Sequence, residues 1–182
     1  MTFSLKKTVV LVGMMGAGKT TVGMALARRL GAPFCDSDAE IVRAANMPIA
    51  DIFARDGEAF FRARESEILK RLLASPPMVL ATGGGAFLRE DNRRIIAESA
   101  VSVWLKAELD LLWSRVRHKD TRPLLRTADP HATLRALCAE REPAYAMADI
   151  TVQALASHCV EDMAGRVIEA LLKRPDVLER TK

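Results

Sequence analysis

Short apolar runs alternate along the chain with longer stretches in which apolar residues recur every three to four positions. Thr8-Val-Val-Leu-Val12 is apolar on consecutive positions, the pattern of a strand covered on both faces. Residues 33–38, 78–82, 101–105 and 149–152 read as four further strands. Helical periodicity fills 21–30, closed by Gly31, and then 89–98, 108–116, 130–146 and 158–172. Strands alternating with helices, without an internal repeat, predict an α/β fold of three layers, a five-stranded parallel sheet with helices on both faces. Two segments break the rhythm. Residues 48–74 form a long helical insertion interrupted at Asp56-Gly57, and residues 117–129 are polar and Arg-rich around Arg122-Pro123, the composition of a mobile lid. The stretch after Leu172, beginning Lys173-Arg174-Pro175, is expected to be a frayed tail.

In such sheets ligands lie beyond the carboxyl ends of the strands. Three unusual groups fall at those ends: a glycine-rich loop after the first strand, Asp36-Ser37-Asp38 after the second, and Gly83-Gly84-Gly85 after the third. The loop, Gly13-Met-Met-Gly16-Ala17-Gly18-Lys19-Thr20, fits the phosphate-binding P-loop pattern. Its glycines let backbone N–H groups converge on one anion, and the helix after it offers its positive end. Gly16, Ala17, Gly18, Lys19, Thr20 and Thr21 are therefore the expected nucleotide contacts. Lys19 reaches the β/γ-phosphates, and the Thr20 hydroxyl is placed for Mg²⁺.

Composition narrows the picture little further. At 182 residues the chain is expected to be one domain. No apolar stretch is long enough to span a bilayer. The apolar segment after Lys6 and Lys7 runs into the P-loop, so it serves as a strand rather than a signal peptide. A cytoplasmic monomer is expected. Cys35, Cys138 and Cys159 are scattered without metal spacing, and His118, His131 and His158 suggest surface positions. The net charge of +4 is spread along the chain, which argues for steering of anionic ligands and against nucleic acid.

Asp36 and Asp38 lie two apart at a predicted strand end, on one side of it. Such a pair can divide its work between a metal and a hydroxyl, although an Asp there also suits a helix cap. Arg62 shares a helix face with Glu58 and Glu65, which fits either a solvated ion-pair face or a carboxylate fork held by acidic neighbours. The glycine triplet permits backbone to approach a ligand closely. Arg141, four before Tyr145, reads on its own as a surface arginine.

The combination of the P-loop, Asp36-Ser37-Asp38, Gly57-Glu58-Ala59-Phe60-Phe61-Arg62, Thr82-Gly83-Gly84-Gly85, Arg122-Pro123-Leu124-Leu125 and Arg141-x-x-x-Tyr145 resembles shikimate kinase, from Val9 to about Leu172. The resemblance implies the nucleoside-monophosphate-kinase-like P-loop fold and transfer of the ATP γ-phosphoryl group to the 3-hydroxyl of shikimate, on the route to chorismate and the aromatic amino acids. It divides the chain into a nucleotide core (8–37 and 75–116), an acceptor-binding insertion (38–74), a lid (117–129) and the C-terminal part of the core (130–172). It implies ATP and Mg²⁺ as ligands, with Thr20 and Asp36 at the metal. Asp38 orients the acceptor hydroxyl and is the candidate base, while Arg62, Arg141, Gly83, Gly84 and Gly85 hold the acceptor. Phe53 and Phe61 would wall the acceptor ring or simply pack the core. Arg122 reaches the transferred phosphate, and Arg115 stacks on adenine. Lys19, Asp38 and Arg122 form the expected catalytic set. Two departures bear on the nucleotide. The strand at 78–81 lacks the usual Walker B acid, which leaves the metal to Thr20 and Asp36. Residues 151–158 lack the family's adenine-enclosing arginine, with backbone, Ser157 or His158 as substitutes. A gluconate kinase is the nearest rival reading.

Overall fold

The computed structural model describes residues 2–119 and 122–182. Asp120 and Thr121, inside the segment expected as a lid, lie outside the described residues. Among them, five parallel strands form the central sheet: β2 (Thr8–Val12), β3 (Phe34–Asp36), β4 (Val79–Ala81), β5 (Ala100–Ala107) and β6 (Ile150–Ala154), in the spatial order β3-β4-β2-β5-β6. Strand β2 is buried along its whole length, with a hydrogen-bonded neighbour on each side. Its Val9 pairs with Val79 of β4 and Val101 of β5, so all three strands begin at one level. The order reverses at β2, and the P-loop leaves that strand at the switch point where α/β sheets bind ligands.

Eight α-helices surround the sheet among the described residues. Helix α1 (Lys19–Leu30) ends at Gly31 in the left-handed region, and its inner face packs against α8 (Val160–Leu171). The 48–74 insertion is two helices, α3 (Ile49–Asp56) and α4 (Glu58–Leu73), which meet at Gly57. Helices α5 (Glu90–Ser99), α6 (Leu109–Val116) and α7 (Pro130–Tyr145) follow the expected periodicity to within two residues at each end. No described helix is long and apolar enough to cross a membrane.

The structure corrects three expectations. The second strand stops at Asp36, and Ser37 and Asp38 open a helix, α2 (Ser37–Ala45). The Asp36 carboxylate accepts the N–H groups of Asp38 and Ala39, and this local capping wins over extension of the strand. Helix α1 starts at Lys19, two residues before its expected start. The C-terminal stretch is no frayed tail. It forms β7 (Leu178–Thr181), antiparallel to an N-terminal strand β1 (Thr2–Leu5), with Thr2 opposite Thr181. Val177 and Leu178 are fully covered. Lys6 pairs with Glu179 at 2.7 Å and Lys7 with Asp176 at 2.9 Å, and hydrogen bonds from Arg174 and then Lys7 hold the Asp176 carboxyl far below the usual range.

The ribbon is anchored by apolar burial more than by its exposed ion pairs. Leu178→Ala should therefore cost about 2–4 kcal/mol in urea unfolding, while Arg180→Ala, on the exposed face, stays within about 0.5 kcal/mol.

Candidate active site

The chain leaves β2 through Gly13 and turns at Gly16 and Gly18, whose φ angles of +80° and +91° favour glycine. At Gly16 space adds a second constraint, since a Cβ would lie 2.7 Å from Val116 Cγ1 on α6. The Ala17 N–H closes the turn on the Met14 carbonyl at 3.1 Å. Gly18 caps α1 without a side-chain acceptor, so the N–H groups of its first turn meet no competing side chain. Thr21 bonds back to the Gly18 carbonyl, and Arg115 donates to the Gly16 carbonyl at 3.0 Å, bracing the outer edge of the loop from α6. The Lys19 ammonium donates to the carbonyls of Gly13 at 2.7 Å and Met14 at 3.0 Å, folded over its own loop. Burial, aided by the nearby Arg122 charge and opposed by Asp38 and Asp36, lowers its pKa to about 8.

Although Asp36 and Asp38 do not share a strand, both face this loop. The second carboxylate oxygen of Asp36, free of the cap, accepts the Thr20 hydroxyl at 3.0 Å. Asp38, in the first turn of α2, is raised above the usual carboxylate range by burial and then by Asp36, against the pull of Lys19, Arg62 and Arg122. The buried Nε of Arg122 has no hydrogen-bond partner among the described residues, and its guanidinium shares this field.

The glycine triplet follows β4 and meets the acidic and basic groups one by one. A Cβ on Gly83 would lie 2.6 Å from Asp38 Oδ1, one on Gly84 2.9 Å from an Arg141 nitrogen, and one on Gly85 2.5 Å from the Arg62 guanidinium. None of the three has a positive φ. Glycine is needed here for room, because three charged side chains lie directly on the backbone. Any side chain would push one of them away. Gly83–Gly85, Asp38, Arg62 and Arg141 thus form one cluster, as the sequence led one to expect, but the triplet makes space for side chains as well as for a ligand.

Arg62 bonds to Glu65 at 2.9 Å and lies 3.6 Å from Glu58. Glu65 is buried, which raises its pKa, and Arg62 counters that rise. Phe61 is buried against Phe53, ring centroids 4.7 Å apart, and Arg62 lies over the Phe61 ring. Arg141 is no surface residue; it is 8% exposed and lies over Gly84 beside the Tyr145 hydroxyl, which donates to the Gly84 carbonyl at 2.7 Å. Tyr145 was missed as a site residue. Its spacing of four from Arg141 was the available signal, since that spacing puts both on one helix face. Near the strand expected to flank adenine, the His158 ring accepts the Leu155 N–H at 3.2 Å and closes a turn. No group of three or more His, Cys, Asp or Glu gathers among the described residues.

At pH 8 roughly half of Lys19 is neutral, and phosphates bound beside it must raise its pKa. Nucleotide binding at pH 8 should thus take up on the order of half a proton, read from calorimetry in two buffers of different ionisation enthalpy. Uptake should vanish in Lys19→Arg, which is charged throughout. A buffer-independent enthalpy for the unaltered protein would show that Lys19 is already fully charged.

The sequence model of the family described as Shikimate kinase matches residues 15–172. A shikimate kinase of Ruegeria pomeroyi is 66% identical over 176 residues, covering 97% of this chain and 90% of its own length. One from Cereibacter sphaeroides is 67% identical over 175 residues, covering 96% and 87%. Among solved structures, shikimate kinase from Acinetobacter baumannii in complex with shikimate superposes with a TM-score of 0.87 at 38% identity, over 93% of this chain and 94% of that one. A gluconokinase from Sinorhizobium meliloti reaches a TM-score of 0.61 at 20% identity, a likeness of fold alone. The phosphate loop, the Asp38–Arg141–Arg62 cluster and these relatives agree: the chain belongs to the shikimate kinase family of ATP-dependent kinases.

Proposed function

We propose that the chain transfers the γ-phosphoryl group of ATP to the 3-hydroxyl of shikimate, giving shikimate 3-phosphate and ADP on the route to the aromatic amino acids. The observation that carries this reading is the glycine turn with Asp38, Arg141 and Arg62 each against one residue of it. One carboxylate and two guanidinium groups around an unobstructed backbone suit an acceptor bearing both hydroxyls and a carboxylate. The solved relative from Acinetobacter baumannii holds shikimate, which supports the same ligand here.

Lys19 leaves the carbonyls of Gly13 and Met14 and takes up the β- and γ-phosphates, with the first-turn amides of α1 and the amides of the loop around Gly16 and Gly18. Thr21 steadies that turn through Gly18, and Arg115 lies at its edge, ready to stack on adenine. The hydroxyl of Thr20 and the carboxylate of Asp36, in contact at 3.0 Å, are hard oxygen donors that fit a hydrated Mg²⁺. When bound, that ion neutralises charge on the phosphate oxygens. Asp38 accepts the proton of the 3-hydroxyl as that hydroxyl's oxygen bonds to the γ-phosphorus and the bond to the bridging oxygen breaks, leaving ADP. Its raised pKa makes it a better acceptor than an exposed carboxylate, although orientation matters more than basicity in phosphoryl transfer. Arg62 and Arg141 fork the acceptor carboxylate. Arg122, whose Nε has no partner among the described residues, supplies a donor for charge on the transferred group.

ADP release with Mg²⁺ and ATP tests the reading, in parallel with shikimate, gluconate or no acceptor. Fast release is expected only with shikimate. Equal release in every arm overturns it, and preference for gluconate would install the rival kinase.

Arg62→Ala and Arg141→Ala should each raise the acceptor KM about 10- to 150-fold, the worth of a charge-assisted hydrogen bond, with the ATP KM nearly unchanged. Arg62→Ala should also lower Tm, because buried Glu65 loses its partner. Arg122→Ala should lower kcat about 100- to 1,000-fold. Steady-state kinetics with both substrates varied checks all three.

A further inference from the structure

Asn92 on α5 is fully buried and far from the phosphate loop in sequence. Its side-chain amide donates to the Ala86 carbonyl at 2.9 Å. Its oxygen accepts the Ser66 hydroxyl at 2.7 Å. The carbonyl of Ala86 can only accept, so the amide nitrogen must face it and Ser66 must be the donor at the other end. Arg89 reaches the same hydroxyl at 3.4 Å. Both ends of a buried amide are thus used, and its orientation is fixed.

The two ends of this relay are the two sides of the acceptor cluster. Ser66 lies on α4, four residues after Arg62 and therefore on the same helix face. Ala86 directly follows Gly85, the residue on which the Arg62 guanidinium rests. A closed circuit runs from Arg62 along α4 to Ser66, through Asn92 to Ala86, and back by Gly85 to Arg62. A buried apolar residue would pack α5 without needing partners, whereas an amide must have them.

We infer that Asn92 and Ser66 are positioning residues for acceptor binding, which set the separation between the Arg62 fork and the glycine turn. The inference rests on Arg62 binding the acceptor carboxylate.

The test is steady-state kinetics of Ser66→Ala, Ser66→Thr, Asn92→Leu, Arg62→Ala and the double variant Arg62→Ala/Ser66→Ala. Ser66→Ala should raise the acceptor KM about 2- to 10-fold, the range of one lost hydrogen bond, with the ATP KM unchanged. Asn92→Leu should raise it further. Ser66→Thr, which keeps a hydroxyl, should restore it. In the double variant Ser66→Ala should add nothing to Arg62→Ala, because the relay acts through that arginine. A purely structural role would lower kcat through loss of active enzyme and leave both KM values alone. That result, or full additivity in the double variant, overturns the inference. Should Asn92→Leu not fold, Ser66→Ala decides. If Arg62→Ala leaves the acceptor KM unchanged, the fork assignment falls and the inference with it. If Arg62→Ala raises it and Ser66→Ala does not, the inference alone falls.

Discussion

Every group at the site is referenced to one buried strand. β2 is hydrogen-bonded on both sides, and the loops that leave it and its neighbour β4 start from the same level. Thr82 fixes that level, donating to the Leu11 carbonyl from its backbone N–H at 3.3 Å and from its hydroxyl at 2.9 Å. The phosphate loop and the glycine turn are therefore held to one carbonyl of the sheet. Because a parallel strand in the middle of a sheet cannot shift without breaking two ladders, nucleotide and acceptor are given a common rigid reference, which is what in-line transfer between them requires.

Around that reference the structure concentrates charge where water is scarce. Lys19, Arg62, Arg122 and Arg141 face Asp36, Asp38 and Glu65, and the named cations outnumber the named acids. Left alone, such a set is costly to bury, and the shifts show it: Lys19 is pushed down, while Asp38 and Glu65 are pushed up. In the proposed function, anionic phosphates and an acceptor carboxylate complete the balance and offset the cost of burying the set, and the same field discriminates against neutral acceptors.

Much of this is legible in the sequence alone. Apolar runs gave the core strands because a doubly covered strand must be apolar on both faces. The phosphate loop declared itself by spacing, whereas the acids flanking Arg62 suit a solvated ion-pair face as well as a fork, and only the family resemblance singles it out. The terminal ribbon was invisible, since Val177-Leu178 is too short an apolar signal beside Lys173, Arg174 and Pro175, and its partner lies at the far end of the chain. The boundary at Asp36 was misplaced because a side-chain cap, rather than any periodicity, ended the strand. Burial of Arg141 was not legible either, as it depends on a turn some sixty residues away in sequence packing against α7. The Asn92 relay carries no motif at all, since an isolated Asn in a helix looks like any polar surface position.

The antiparallel pairing of β1 with β7 has a mechanical side. Thr2 stands opposite Thr181, so the outer ends of the two strands sit at the same end of the ribbon. A load applied to both would peel the pairs apart one after another instead of shearing them together. The ribbon would yield first and at low force, before tension reached β2 and the site it carries. It is thus a fuse in series with the catalytic core, and stretching the molecule by its outer strands would cost it a hairpin-like clasp long before it cost it the pocket.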